Sequence, residues 1–184
     1  MFKIGNKNIN SRNPTYFIAE IGSNFDGSKN RAKKLISLAK ESGADAAKFQ
    51  HYTAGSLVNQ NGFDLLDVNS HQKKWSKSVF ETYDKASLDF QWTEFLVEEC
   101  RKNELDFLTS PYSLNLLKKT IKYIPAIKIG SGDITYLDII KEMTKFGKPI
   151  LLATGASSMN DVERAMKIIN DKVPICLMQC NTNY

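Results

Sequence analysis

The sequence predicts an α/β fold, an incomplete (β/α)8 TIM-type barrel with about six parallel strands. Short apolar segments alternate with amphipathic helical segments at spacings of about 20 to 30 residues, which is typical of parallel βαβ units. Polar side chains recur near the far ends of these segments, as they do around the mouth of a barrel. The turn at residues 22–27 matches neither GxGxxG nor a Walker loop, which disfavours an open nucleotide-binding sheet.

Two architectures nevertheless fit six parallel strands, an open doubly wound sheet and a barrel. The spread of polar groups over the ends of five strands favours the barrel. A complete barrel needs eight strands, whereas the sequence ends at Tyr184, directly after the sixth. The chain is therefore expected to be either a fragment of a barrel or a different fold.

The elements follow in regular order after a predicted N-terminal hairpin at residues 2–9, which turns at Gly5 and Asn6. The predicted strands are residues 16–21, 45–50, 105–109, 126–130, 149–154 and 174–180. The predicted helices are residues 28–42, 91–102, 113–122, 136–146 and 158–169. Three of these helices have serine N-caps, which are Ser28, Ser113 and Ser158. We expect two units, a hairpin region at 1–14 and a partial barrel at 15–184.

One stretch, residues 51–90, interrupts the alternation. It is rich in Asn, Gln, Ser and Lys and contains both histidines, His51 and His71. A connection of this length is usually functional, so we expect a loop that covers the active site, with a short helix near 75–86. The two histidines lack metal-ligand spacing and are interpreted as loop residues.

Composition excludes several classes of function. The net charge of +5 comes from 25 basic and 20 acidic residues, and the basic residues mostly lie at helical spacings, as on solvated helix faces. Aromatic residues are not interleaved with them, which argues against nucleic-acid binding. No apolar run reaches the roughly 20 residues of a membrane span. Three cysteines without framework spacing predict buried free thiols and a reducing, cytoplasmic location.

Polar side chains near the strand ends predict one shared pocket. Lys48 and Gln50 share a face because side chains alternate along a strand, and Lys128 faces the same way as Gly130. Burying a charge among apolar side chains costs several kcal/mol unless a partner or ligand meets it. Two ammonium groups near Glu20 and short hydroxyls therefore suit a phosphate or carboxylate. The alternative is a purely structural ion pair between Lys48 and Glu20.

Six short segments carry a more specific signal. They are residues 18–24 (IAEIGSN), 43–50 (GADAAKFQ), 107–111 (FLTSP), 128–133 (KIGSGD), 147–149 with 153–155 (GKP, ATG) and 178–184 (MQCNTNY). Together, and in this order, they resemble the N-terminal part of the sialic acid synthase (N-acetylneuraminate synthase) family. That family condenses phosphoenolpyruvate with an N-acylated amino sugar.

The resemblance implies roles for nine side chains. Lys48 and Lys128 would bind phosphoenolpyruvate and, with Glu20, form the catalytic set. The implied substrate-binding residues are Gln50, Ser110, Ser131, Asp133, Thr182 and Tyr184. Of these, Ser110 and Ser131 would assist the lysines, and Thr182 would lie near the phosphate. Gln50, Asp133 and Tyr184, together with Glu20, would face the amino sugar.

The resemblance also implies an architecture larger than this sequence. The family has a (β/α)8 barrel, a small antifreeze-like domain, a swapped homodimer and a divalent metal, manganese or magnesium. The metal-binding histidines belong to strands seven and eight, so we assign no metal ligand in this chain. The metal would polarise the sugar aldehyde. We expect the 184 residues alone to lack turnover.

Three departures from the family pattern leave the sugar open. Gln179 replaces a usual histidine, Ala153 replaces a hydroxyl residue, and Phe25 replaces a frequent histidine. The product would then be a sialic, pseudaminic or legionaminic acid. Two other classes stay open, a Schiff-base aldolase that uses Lys128 or Lys48, and a non-catalytic sugar-binding protein.

Overall fold

The computed structural model describes residues 1–65 and 75–182. The strands in these residues are β1 (Phe2–Ile4), β2 (Lys7–Ile9), β3 (Ile18–Gly22), β4 (Ala46–His51), β5 (Asp106–Pro111), β6 (Ile127–Ile129), β7 (Ile150–Ala153) and β8 (Ile175–Met178). The α-helices are α1 (Lys29–Glu41), α2 (Ala54–Leu57), α3 (Gln60–Leu65), α4 (Val79–Ala86), α5 (Thr93–Lys102), α6 (Leu114–Thr120), α7 (Leu137–Thr144) and α8 (Met159–Ile169).

Six parallel strands form the centre of the fold. They pair as two three-stranded sheets, β3–β4–β5 and β6–β7–β8. β5 packs beside β6, so the strands lie side by side in chain order. Neighbouring strands are connected through helices, as parallel pairing requires. The predicted α/β alternation is confirmed.

Each strand divides its side chains between two apolar clusters. Phe49, Ile127 and Ile129 point outward and are buried against the helices. Ala46 and Leu108 point inward and form a second cluster with side chains of β7 and the hairpin. Each buried aliphatic side chain stabilises the fold by about 1.5–3 kcal/mol relative to exposure. The alternation therefore leaves the inner face free to present polar groups at the strand ends.

The N-terminal hairpin, β1 and β2, covers the amino ends of the parallel strands. Ile4 enters the inner cluster, and Lys7 forms an ion pair with Asp45, directly before β4. Tyr16 donates a 2.6 Å hydrogen bond to Asp106, the first residue of β5. Burial and the Asp106 carboxylate raise the pKa of the Tyr16 hydroxyl, so this phenol stays a donor. The predicted hairpin is thus fastened opposite the carboxyl ends of the strands.

Helix starts agree closely with the sequence. Ser28, Ser113 and Ser158 each accept a backbone N–H bond as N-caps, which satisfies an otherwise unpaired donor. The helix predicted at 91–102 begins only at Thr93, because Phe90–Trp92 form a 3-10 turn.

The free thiols are confirmed, with Cys100 buried, whereas Cys176 and Cys180 are only half-buried.

The region 51–90 differs from its interpretation as a loop. It contains α2, α3 and α4, while residues 66–74, including His71, lie outside the described residues. The interpretation of His51 as a loop residue is wrong, because His51 is the last residue of β4 and is 1% exposed. The two predicted units and the role of this region as a cover stay predictions.

None of the helices in the described residues is long and apolar enough to cross a bilayer.

We expect Gly5→Ala to destabilise the hairpin contact. Gly5 has a φ of +53°, and an added Cβ would lie 2.5 Å from Asp106 Oδ1. The left-handed backbone alone costs about 1–2 kcal/mol for a residue with a Cβ. The collision with an anchored carboxylate adds about 1–3 kcal/mol to the loss in free energy of unfolding. Urea unfolding followed by circular dichroism measures both effects.

Gly147→Ala is the matched control for this prediction. Its φ is +66°, and nothing lies within 4 Å of the added Cβ, so only the backbone cost applies. Equal losses of unfolding free energy in the two variants would contradict the close packing of Gly5 on Asp106.

Candidate functional site

A cavity of about 540 Å³ lies at the carboxyl ends of the parallel strands. It brings together eight of the nine side chains singled out from the sequence. These are Glu20, Lys48, Gln50, Ser110, Lys128, Ser131, Asp133 and Thr182. Tyr184 lies outside the described residues. The convergence follows from parallel pairing, since all carboxyl ends open on the same side; the role of each side chain stays a prediction.

Glu20 lies at the end of the regular part of β3, directly before an irregularity. Glu20 pairs in register with Lys48, but the next pair is Gly22 with Phe49, so one extra residue bulges from β3. Gly22 has a φ of +55°, a backbone conformation that glycine adopts without strain. Such bulges redirect side chains next to functional sites. Glu20 itself precedes the bulge, and ordinary alternation from Ile18 on the inner face places its side chain beside that of Lys48.

The ion pair between Lys48 and Glu20 is formed. The pair also borders the cavity, and its functional role stays a prediction. The Lys48 side chain is only 7% exposed, whereas that of Glu20 is 51% exposed. The carboxylate thus compensates a buried ammonium group that would otherwise be costly, and its outer oxygen faces solvent.

Lys128 is the second ammonium group of the cavity. Its Nζ donates a 2.8 Å hydrogen bond to the carbonyl of Ile129. Burial, and next the positive charge of Lys48, lower the pKa of Lys128 to about 8. Lys48 and Lys128 both line the cavity, so the two ammonium groups face a common space. Both charged forms are stabilised when an anion enters between them.

Ser110 is a buried hydroxyl that points into the same cavity. The residue is 4% exposed and borders the space next to Lys128. Its Oγ forms no hydrogen bond with any residue of 1–65 or 75–182. The Ser110 hydroxyl is therefore available to a polar group that enters the cavity. Thr154 is different, because its hydroxyl donates 3.1 Å to Met178 O and is satisfied.

The loops after β6 and β7 meet at Gly155. Its N–H donates a 3.0 Å hydrogen bond to Ser131 Oγ, which leaves the Ser131 proton available for a ligand. A Cβ at Gly155 would lie 2.6 Å from Thr182 Cγ2 and 2.9 Å from Ser131 Oγ. Glycine is therefore required at position 155 for the close approach of the loops after β6 and β7.

Burial raises the pKa of Asp133, and the nearby Lys128 charge opposes that shift.

Several residues of the cavity wall were not singled out from the sequence. Tyr112, Cys180 and Asn181 line the cavity, and each follows shortly after the end of a strand. That position, one to three residues beyond β5 or β8, is the signal that could have identified them. Leu57 of α2 also lines the cavity, and no sequence pattern predicts its place.

The described residues do not offer a set of metal ligands. Within residues 1–65 and 75–182, no three His, Cys, Asp or Glu side chains group closely enough to hold an ion. The carboxylates that line the cavity are Glu20 and Asp133. Two separate carboxylates beside two ammonium groups favour an anion over a cation. The divalent metal expected for the complete enzyme, with ligands outside this chain, stays a prediction.

Comparison with known proteins gives a consistent family. Residues 35–184 match the NeuB family. The chain is 31% identical to the N,N'-diacetyllegionaminic acid synthase of Campylobacter jejuni over an alignment of 179 positions, which covers 92% of this chain and 52% of that protein. The chain spans about half the length of the curated relatives it matches.

Solved structures show the same fold. The N-acetylneuraminic acid synthetase of Leptospira borgpetersenii aligns with a TM-score of 0.86 and 25% identity, covering 100% of this chain and 60% of its own. The spore coat polysaccharide biosynthesis protein SpsE of Bacillus subtilis aligns with a TM-score of 0.80 and 28% identity, covering 100% and 48%. The predicted incomplete barrel and the resemblance drawn from the sequence are confirmed, and the chain belongs to the NeuB family.

Proposed function

We propose that this chain binds phosphoenolpyruvate for condensation with an N-acylated amino sugar. The product would be a sialic acid or a related nonulosonic acid, with release of phosphate. Membership of the NeuB family and the relatives named as synthases of such acids support this proposal. The chain covers about half of those relatives, so the activity, the homodimer and the metal of a whole synthase are proposals as well.

One observation supports the proposal most strongly: two largely buried ammonium groups and a buried hydroxyl face one cavity. Phosphoenolpyruvate carries a phosphate and a carboxylate on a three-carbon unit, so it presents two anionic groups. Lys48 and Lys128 would each neutralise one of them, and Ser110 would donate to an anionic oxygen. Charge-assisted hydrogen bonds of this kind are about twice as strong as neutral ones. Partial exclusion of water strengthens them further.

The amino sugar would occupy the more exposed side of the cavity. Glu20 and Asp133 line this space with the amide of Gln50, and these groups suit sugar hydroxyls and an N-acyl group. Of the three departures from the family pattern, Ala153 lines the cavity, whereas Phe25 belongs to the outer apolar cluster and its ring lies tilted at 5.9 Å from Trp92. The sugar difference would therefore arise at Ala153 rather than at Phe25.

In the proposed reaction, carbon 3 of phosphoenolpyruvate attacks the aldehyde carbon of the open-chain sugar. Water adds to carbon 2, and the bond between carbon 2 and the phosphate oxygen breaks, which releases phosphate. Lys48 and Lys128 would stabilise negative charge on the carboxylate and the departing phosphate. The described donor set does not fit a metal, so no step here is assigned to one.

We expect Lys128→Met to weaken phosphoenolpyruvate binding by about tenfold or more, because a hydrogen bond to a charged group contributes about 1.5–3 kcal/mol. Titration calorimetry of the 184-residue chain measures the dissociation constant. Lys145→Met is the matched control, since Lys145 is 60% exposed and pairs with Glu142 on the surface. Unchanged affinity in Lys128→Met, or equal loss in both variants, would refute the assigned role.

The affinity for phosphoenolpyruvate should fall as the pH rises through about 8. The pKa of Lys128 is lowered to about 8, so the group is charged below this pH and loses its charge above it. The phosphate is already fully ionised there, because its second pKa is near 6. Calorimetry between about pH 7 and pH 9 tests this expectation. Lys128→Met should flatten the dependence, and a wild-type affinity that rises with pH would contradict it.

A Schiff-base aldolase is the second candidate, and one observation favours it. Lys128 is desolvated and its pKa is about 8, so a neutral amine is accessible for attack on a carbonyl carbon. The imine would form with loss of water, and borohydride would reduce it to a stable adduct. Our proposal predicts no adduct on Lys128 after incubation with pyruvate or N-acetylmannosamine and borohydride. Mass spectrometry of the peptide containing Lys128 distinguishes the two functions.

A further inference from the structure

A buried histidine lies directly behind the cavity, on the outer face of the sheet. His51 contacts two threonines, with Nδ1 at 2.8 Å from Thr109 Oγ1 and Nε2 at 2.9 Å from Thr93 Oγ1. Thr109 belongs to β5 and Thr93 begins α5. All three residues are at least 99% buried. The contact therefore joins β4, β5 and the helix layer at a single point.

The hydrogen bonds define the protons of this contact. Thr93 Oγ1 donates its proton to the carbonyl of Phe90 at 2.7 Å, so it accepts from the histidine. Nε2 must then carry a hydrogen, and Nδ1 of the neutral ring accepts the hydroxyl proton of Thr109. The chain of donors runs from Thr109 through His51 and Thr93 to Phe90. Each donor in it has one acceptor.

The surroundings keep the ring neutral. Phe90 and Phe107 pack edge-on against it, at centroid distances of 5.9 and 6.5 Å. Burial lowers the pKa of His51 to about 4. Protonation would place a second N–H against the Thr109 hydroxyl and would break the donor order. At neutral pH the contact therefore has one arrangement of protons.

The cavity depends on the residues next to this contact. Gln50 precedes His51 and pairs in register with Ser110, which follows Thr109. Because side chains alternate, fixing His51 and Thr109 outward fixes Gln50 and Ser110 inward. The N–H of Tyr112 also donates a 3.0 Å hydrogen bond to the carbonyl of His51, so the end of β4 is bonded to the residue that follows β5.

We propose that His51, as the Nε2–H tautomer between Thr93 and Thr109, is a positioning residue for Gln50 and Ser110. Its contribution to ligand binding rests on the proposed function. Without it, the ends of β4 and β5 would have only their ladder hydrogen bonds to set the rotation of the two inward side chains. The imidazole adds a side-chain hydrogen bond to β5 and another to the start of α5.

A first experiment reads the tautomer without any ligand. Long-range nitrogen–proton NMR spectra of the wild-type chain, selectively labelled on histidine, distinguish a protonated ring nitrogen from a bare one. We expect the proton on Nε2, with Nδ1 bare and unchanged from pH 8 to about pH 5, since the pKa is about 4. A proton on Nδ1, or titration near pH 6.5, would overturn the inference.

A second experiment separates hydrogen bonding from packing. Thr109→Val keeps the shape of the side chain and removes the donor to Nδ1, while Thr109→Ser keeps the donor and loses a methyl group. We expect Thr109→Val to weaken phosphoenolpyruvate binding about fivefold, through displacement of Ser110 and Gln50, and Thr109→Ser to bind within about twofold of wild type. The opposite order would show that only packing matters.

The proposed function and the positioning role of His51 can be refuted independently of each other. If the wild-type chain does not bind phosphoenolpyruvate, the proposed function fails, and the positioning role is judged by the amide signals of Gln50 and Ser110 in the free protein. Thr109→Val should shift both signals and Thr109→Ser should leave them near their wild-type positions. Equal shifts in the two variants would refute the positioning role. If Thr109→Val does not fold, the NMR measurement of the His51 tautomer in the wild-type chain still tests the proposal.

Discussion

The burial of two ammonium groups beside one cavity is the constraint on which the inner face of this structure depends. Lys48 is compensated by Glu20, which pairs in register with it across β3 and β4. Lys128 donates to the backbone carbonyl of Ile129, and burial first and the charge of Lys48 second lower its pKa to about 8. An anion between the two ammonium groups would offset both the cost of their burial and the repulsion of Lys128 by Lys48.

The outward and inward faces of the strands differ in what they contribute to packing and to the cavity. Outward side chains such as Phe49 pack under the helices, and His51 adds a polar contact in the same layer. Inward side chains change along the strand from apolar, as at Ala46, to charged, as at Lys48. The apolar end is covered by the hairpin and the charged end opens to solvent. Along one strand, inward residues near the amino end therefore pack in the apolar cluster, and inward residues near the carboxyl end line the cavity.

Much of this arrangement could be predicted because it depends on local rules. Strand alternation placed Lys48 with Gln50, and capping placed the helix starts at Ser28 and Ser158. The bulge at Glu20 could not be predicted, since it is defined by register against another strand. His51 was misread because the strand was ended one residue early, and its two threonine partners are 42 and 58 residues away in sequence.

The hairpin has a practical consequence for handling the protein. Met1 is 96% exposed, and β1 and β2 lie against the amino ends of the strands, on the side away from the cavity. A sensor chip or bead coupled through the N-terminus would hold the molecule with its cavity directed into the bulk solution. Attachment through lysines would scatter orientations, because the two cavity lysines compete with many surface amines for the coupling reagent.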